Sequence, residues 1–120
     1  MSIYSTTVKS VGSMVSETAD AGMYVLFGGN APDALREYCF LVEVTPVQGQ
    51  IAPGQTFTAG SSTFPITAVG DVVNTNLHQL GHMTVQFDGA TTAPMPGTMV
   101  VANPGGALPE LTAGTPITIA

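Results

Sequence analysis

Two histidines lie four positions apart in the segment His78-Gln79-Leu80-Gly81-His82. On a helix this spacing puts both imidazoles on one face, where they could share a metal ion. A zinc hydrolase with this motif needs a glutamate directly after the first histidine as general base, and Gln79 cannot take up a proton. Gly81 should also end the helix, and no third ligand recurs at a suitable spacing. We therefore expect no metal site and interpret His78 as a solvated helix residue.

His82 allows a different kind of chemistry. Alternation along 83–87 puts the apolar side chains on one face of a strand and His82 on the polar face. In the simplest interpretation it is an ordinary, partly exposed histidine that hydrogen-bonds a neighbouring backbone group. In the alternative, its neutral imidazole attacks a phosphoryl donor and later gives the group up. Such a site needs backbone N–H groups or hydroxyls around the phosphate oxygens, and the sequence does not indicate which ones.

Other nucleophile and phosphate motifs are missing from the sequence. There is no Gly-x4-Gly-Lys-Ser/Thr loop and no Gly-x-Ser-x-Gly elbow, and Gly28-Gly29 lacks the strand–helix–strand context of a dinucleotide site. The one cysteine, Cys39, stands in an apolar run. It excludes an intrachain disulfide, and we expect a buried thiol that packs like a small hydrophobe.

The charge balance restricts the partners. Lys9 and Arg36 are the two strong bases against eight acids, so the formal net charge is -6. Such a chain repels polyanions, and we do not expect nucleic acid as a partner. An acidic face would instead steer a basic protein partner. Because the sequence shows neither a signal-peptide pattern nor an apolar stretch of membrane-spanning length, we expect a cytoplasmic protein, peripheral to a membrane at most.

Nine prolines and fourteen glycines divide the 120 residues into short segments. Most segments are rich in β-branched and aromatic residues, which favour strands. They predict a mainly β fold, a small barrel or sandwich of about eight short strands, in a single domain over residues 1–120. The predicted strands are Ile3–Val11, Met23–Phe27, Tyr38–Val44, Thr56–Ala59, Thr63–Val69, Met83–Phe87, Thr98–Ala102 and Ile117–Ile119.

One or two short helices are expected in addition. Asn30 is a good N-cap and Pro32 suits a first helical turn, so a helix of one or two turns should follow over 31–37. The second is predicted from about Val72 to Leu80, where apolar residues recur at helical spacing and Gly81 can end the helix.

Several different short fragments, spread over nearly the whole chain, occur in a characteristic order and spacing. They are Glu37-Tyr38-Cys39-Phe40, Pro65-Ile66-Thr67-Ala68-Val69-Gly70, Asn76-Leu77, Leu80-Gly81-His82, Phe87-Asp88-Gly89 and Pro96-Gly97-Thr98. Ala31-Pro32 and Pro53-Gly54 extend the similarity. Each fragment alone is unspecific, but together they resemble the IIA component of the glucitol/sorbitol phosphotransferase system. The resemblance implies a mainly β cytosolic protein that receives a phosphoryl group on histidine from HPr and passes it to the membrane-associated IIB and IIC subunits for hexitol uptake. It implies no cofactor.

In that family the accepting histidine follows the Tyr-Cys-Phe run, and this chain departs from the pattern there. Val42 occupies the position, and Val44 occupies a second place where related chains can carry histidine. Valine cannot accept a phosphoryl group. His82, which is retained in the Leu-Gly-His fragment, is therefore the candidate phosphoryl acceptor, and it would lie near Val42 if their strands are neighbours.

Three functions follow from these residues. In the first, the chain is a working IIA component that uses His82. In the second, it is a catalytically silent relative that keeps the fold and acts as a binding or regulatory module. In the third, the fold binds a small polar ligand, since function belongs to sites and not to folds.

The oligomeric state is open, and a dimer could form through exposed strand edges.

Overall fold

The computed structural model of the chain describes residues 2–120. Within them it contains eight strands and three short helices. In chain order these are β1 Tyr4–Val11, α1 Val15–Asp20, β2 Met23–Phe27, α2 Asp33–Arg36, β3 Phe40–Val42, β4 Thr56–Ala59, β5 Ser62–Val69, α3 Val73–Leu80, β6 Met83–Gln86, β7 Thr98–Val101 and β8 Pro116–Ile119. The prediction of a mainly β fold is confirmed. No helix in this range is long and apolar enough to cross a membrane.

The strands close into a barrel, which decides between the two predicted architectures. Their order around the wall is β1-β3-β2-β6-β7-β5-β4-β8, and β8 pairs back with β1. The pairs β2–β3 and β6–β7 are parallel, and the other six pairs are antiparallel. Because each described strand has a partner on both sides, the barrel leaves no strand edge for the dimer that the sequence allowed.

Alternate strand residues fill the barrel with apolar side chains. On β6, Met83 and Val85 are fully buried inside, whereas Thr84 and Gln86 lie half-buried on the outer face. The largest of the fully buried side chains are Tyr4, Leu26, Ile51, Phe57, Ile66, Leu77, Met83, Met99, Ile117 and Ile119. The outer face of the same wall is thus free to carry polar chemistry.

Helix α1 was not predicted from the sequence. Its segment is rich in Ser, Thr and Val, which have weak helix propensity, and it has no side-chain N-cap. Val15 and Ala19 nevertheless pack against the barrel core from one face of the helix. Tertiary packing therefore stabilises this helix, and the four-residue spacing of the two apolar residues was its one sequence signal.

Two other predicted boundaries need correction. Helix α2 begins at Asp33 after Pro32 and has no side-chain cap, so Asn30 does not cap it. Strand β3 is shorter than predicted, because the N–H groups of Tyr38 and Cys39 donate to carbonyls of the preceding helical turn. The turn that continues α2 thus takes the first residues of the predicted strand.

Tyr4 places a polar group inside the barrel. Its side chain is buried, and its hydroxyl has no hydrogen-bond partner of good geometry among residues 2–120. Burial raises the pKa of Tyr4 from 10.0 to about 12, an effect partly offset by the nearby hydroxyls of Thr6 and Thr45. In the unfolded chain the phenol regains its ordinary pKa, so the two states bind different numbers of protons at alkaline pH.

We predict that the free energy of unfolding falls between pH 10 and pH 12, because the unfolded phenol ionises there while the folded one stays protonated. The loss should reach about 2 kcal/mol at the upper end. Tyr4→Phe should remove this part of the pH dependence, and it should leave stability near neutral pH unchanged or higher. Urea unfolding over this pH range measures both effects, with Tyr38→Phe on the surface as the control. Parallel pH curves for the parent and Tyr4→Phe would contradict the prediction.

Candidate functional site

His82 precedes β6 and lies on the outer face of the barrel wall. Its Nδ1 is 3.3 Å from the carbonyl oxygen of Leu26 on the neighbouring strand β2. Because a carbonyl can only accept, this hydrogen bond requires the proton to sit on Nδ1. The imidazole also packs against the ring of Phe27, with a centroid distance of 4.3 Å and an angle of 31°. These two contacts orient the ring and leave the lone pair of a neutral imidazole on Nε2.

An open cleft of about 400 Å³ lies beside His82 on this outer face. Its floor comes from β2 and β6, one side comes from α3, and the other side is the loop before β7. The lining residues are Met23, Val25, Asn76, His82, Thr84, Gln86, Pro94, Met95, Pro96, Gly97 and Thr98. Apart from the imidazole, they offer neutral hydroxyl and carboxamide groups together with apolar side chains from β2 and from the lip.

The end of α3 determines where His82 starts. Gly81 has the left-handed backbone conformation, with φ 66° and ψ 17°, and its N–H donates to the Leu77 carbonyl at 3.0 Å. A Cβ on Gly81 would lie 3.1 Å from the backbone nitrogen of Gly28. Glycine is thus required both for the conformation and for the close approach. The predicted helix stop at Gly81 is confirmed.

The loop 94–97 forms the lip of the cleft and is held by backbone contacts. The carbonyl of Pro96 accepts the N–H of Val72 at 3.0 Å, and the carbonyl of Gly97 accepts the N–H of Thr84 at 3.1 Å. A Cβ on Gly70 would overlap the carbonyl of Pro96, so glycine permits this packing. Met95 projects from the lip and is 63% exposed. The sequence did not indicate that this loop lies beside His82.

The two histidines have separate surroundings. His78 is exposed, as predicted, and its Nδ1 accepts the backbone N–H of Val47 at 3.0 Å. His82 contacts β2 instead. Among residues 2–120 there is no group of three or more His, Cys, Asp or Glu side chains arranged to hold a metal ion. Each imidazole is therefore best understood from its own contacts.

The barrel wall separates His82 from Val42, the residue at the position where the sequence resemblance leads us to expect a histidine. Strand β2 lies between β3 and β6, so the strands of Val42 and His82 are not direct neighbours. Val42 belongs to the barrel interior and is 1% exposed, while His82 is on the outer face. The two residues approach each other at one end of the wall, where Val42 Cγ2 would lie 3.4 Å from a Cβ on Gly81. Val44, beside Gly28, is 43% exposed.

Cys39 is buried in a small apolar cluster outside the barrel with Phe27 and Ala31. Burial raises the pKa of its thiol, which disfavours the reactive thiolate. The prediction of a buried, hydrophobe-like thiol is confirmed. The cluster packs against Phe27, whose ring in turn contacts the imidazole of His82.

Comparison with solved structures first gives the class of protein. The crystal structure of a phosphotransferase system IIA component from Enterococcus faecalis V583 is similar, with a TM-score of 0.83 and 28% sequence identity over 95% of this chain and 97% of that chain. Residues 3–118 match the model of the family described as "PTS system glucitol/sorbitol-specific IIA component". The chain belongs to this glucitol/sorbitol-specific IIA family.

Two curated relatives agree with this assignment. Both are glucitol/sorbitol-specific EIIA components, one from Shigella flexneri and one from Escherichia coli strain K12. Each is 40% identical over 102 residues, which cover 85% of this chain and 83% of the relative. The resemblance predicted from short fragments is thereby confirmed.

We predict that Gly81→Ala lowers stability by about 1–3 kcal/mol, because the left-handed conformation is strained with a Cβ and the new methyl meets Gly28. It should also shift His82 away from the Leu26 carbonyl. Urea unfolding and the ring-proton NMR signals of His82 measure the two effects.

Gly29→Ala is the matched control, since a Cβ there meets no atom within 4 Å. It should change neither quantity appreciably. Unchanged stability and unchanged His82 signals in Gly81→Ala would contradict this account of the helix end.

Proposed function

We propose that the chain is a phosphoryl carrier of the phosphoenolpyruvate-dependent sugar phosphotransferase system. In this role it receives a phosphoryl group from HPr and passes it to the IIB subunit that serves hexitol uptake with IIC. The observation that carries the proposal is the family match over residues 3–118, which two EIIA relatives support at 40% identity over 102 residues. The domain would work on the cytoplasmic side of the membrane.

His82 is the proposed phosphoryl acceptor. The Nε2 lone pair would attack the phosphorus of phospho-HPr, forming a new N–P bond. The N–P bond on HPr breaks at the same time, and its electron pair returns to the HPr imidazole. The proton of His82 stays on Nδ1 and is donated in a hydrogen bond to the Leu26 carbonyl, which orients the ring through the transfer. Transfer to IIB reverses these steps with a new acceptor.

The surface charge supports a basic partner face. Both strong bases of the chain lie beside acids, with Lys9 Nζ 2.9 Å from Glu43 and Arg36 Nε 3.6 Å from Asp33. The remaining acids give the molecule its net negative field. A partner with positive charge around its phosphohistidine would be attracted at low ionic strength and less so at high salt.

We predict one acid-labile phosphoryl adduct when the protein is incubated with phosphoenolpyruvate, enzyme I and HPr. Intact-mass measurement before and after acid treatment detects it. His82→Gln should abolish the adduct because it removes the nucleophile. His78→Gln should leave it in place, and it is a well-matched control because these are the two histidines of the sequence.

The outcomes separate the candidate functions. An adduct that persists in His82→Gln would overturn the assignment of the acceptor. If the parent protein forms no adduct, the phosphoryl carrier is refuted in favour of a silent binding module, which the valines at positions 42 and 44 would explain. Thermal stabilisation by a polyol without any phosphoryl donor would instead favour the ligand-binding function.

A further inference from the structure

The proposed function leaves open which groups hold the phosphoryl oxygens. We propose that the carboxamide of Asn76 holds them on His82, together with the hydroxyl of Thr84. This inference rests on the proposed function and concerns the same cleft. Asn76 lies in α3 and Thr84 in β6, so they approach the histidine from two different elements.

Asn76 is tied to His82 through the backbone. Its carbonyl accepts the N–H of His82 at 3.3 Å, across the turn made by Gly81. Its side chain lines the cleft and points across it, since its Nδ2 would be 3.7 Å from a Cβ on Gly97. The carboxamide and the imidazole therefore border the same space.

The carboxamide of Asn76 is free to bind a ligand. It forms no hydrogen bond with another residue in the range 2–120, so both of its N–H donors are available. Asn74, two positions earlier on the same helix, is fully engaged. Its Oδ1 accepts the N–H of Ile51 at 2.8 Å, and its Nδ2 donates to the carbonyl of Gly49 at 2.8 Å. Asn74 thus has a structural role, while Asn76 has unused donors beside a nucleophile.

Thr84 supplies the second donor. It follows His82 by two positions, so both side chains project from the same outer face of the wall, about 7 Å apart along the strand. Its backbone N–H is already bound to Gly97 at 3.1 Å, which leaves the hydroxyl as its free group. A phosphoryl group on Nε2 would lie within the space that these side chains border.

Gln86, at the far end of the cleft, is a weaker candidate. Its Nε2 donates to the carboxylate of Asp88 at 2.8 Å. This bond, with the backbone N–H of Ala90, holds the pKa of Asp88 below its ordinary value, so the carboxylate stays ionised near Gln86. Its negative charge would repel a phosphoryl group, which favours the Asn76 end of the cleft.

Neutral hydrogen-bond donors suit a carrier that must pass its phosphoryl group on. Neither Lys9 nor Arg36 lines the cleft, and the C-terminal end of α3, which carries partial negative charge, lies beside His82. The phosphoryl oxygens would therefore be held by hydrogen bonds alone and not by an ion pair. Such a site orients the group without stabilising it so strongly that transfer onward becomes slow.

The test measures the initial rate of phosphoryl uptake from phospho-HPr and the ³¹P chemical shift of the phosphohistidine. Asn76→Ala should lower the rate roughly a hundredfold, the lower end of the loss expected when one donor is removed from an oxyanion site. It should also move the ³¹P signal, which a merely structural role would not do. Asn76→Asp should be slower still because it adds a negative charge, and Thr84→Val should give a smaller loss.

Two controls on the same helix accompany these variants. Gln79→Ala removes an exposed carboxamide and should change neither rate nor chemical shift. Asn74→Ala should lower thermal stability but keep the uptake rate per folded molecule. Because Asn76→Asp and Thr84→Val keep the size of the parent side chains, they test the proposal even if Asn76→Ala folds poorly.

The results distinguish this inference from the proposed function. If the parent is phosphorylated on His82 and Asn76→Ala, Asn76→Asp and Thr84→Val all match it in rate and ³¹P shift, the inference is overturned while the carrier function stands. If the parent takes up no phosphoryl group, both are overturned. A slowed rate with a moved ³¹P signal, seen in the cleft variants and not in Gln79→Ala, supports the proposal.

Discussion

The close approach of Gly81 to Gly28 fixes the relative positions of the elements around the cleft. The left-handed conformation of Gly81 ends α3 and turns the chain directly into β6, while the N–H of Gly28 donates to the Leu80 carbonyl at 2.8 Å. This contact joins the helix end, the end of β2 and the start of β6 at one point. His82 is the next residue, so its position and its orientation by the Leu26 carbonyl depend on two residues without a Cβ.

The same region contains Val42 and Val44. The two valines at the expected histidine positions lie next to these glycines, one inside the barrel and one at its exposed end. His82 faces the opposite side of the wall, toward a cleft with neutral polar groups. Val42 and His82 thus lie on opposite sides of the barrel wall, because inward and outward side chains alternate along each strand.

Much of the fold could be predicted from the sequence. The strands rich in β-branched residues and the helix before Gly81 were predicted correctly, because local periodicity and turn residues determine the secondary structure there. Helix α1 was missed, since its stability comes from packing of Val15 and Ala19 and not from propensity. The start of β3 was predicted two residues too early because a hydrogen-bonded turn after α2 competes with the strand for Tyr38 and Cys39.

The sequence by itself determined the mainly β class, the helix stop at Gly81, the polar face of His82 and, through its fragments, the family. These depend on backbone conformation and short-range patterning, which a few neighbouring residues set. Only the tertiary structure decided that the strands close into a barrel and that Val42 lies inside it. It also decided that Asn76, Thr84 and the lip 94–97 lie together around His82. These depend on which strands pair across the barrel, because residues distant in sequence meet only when the whole wall is closed.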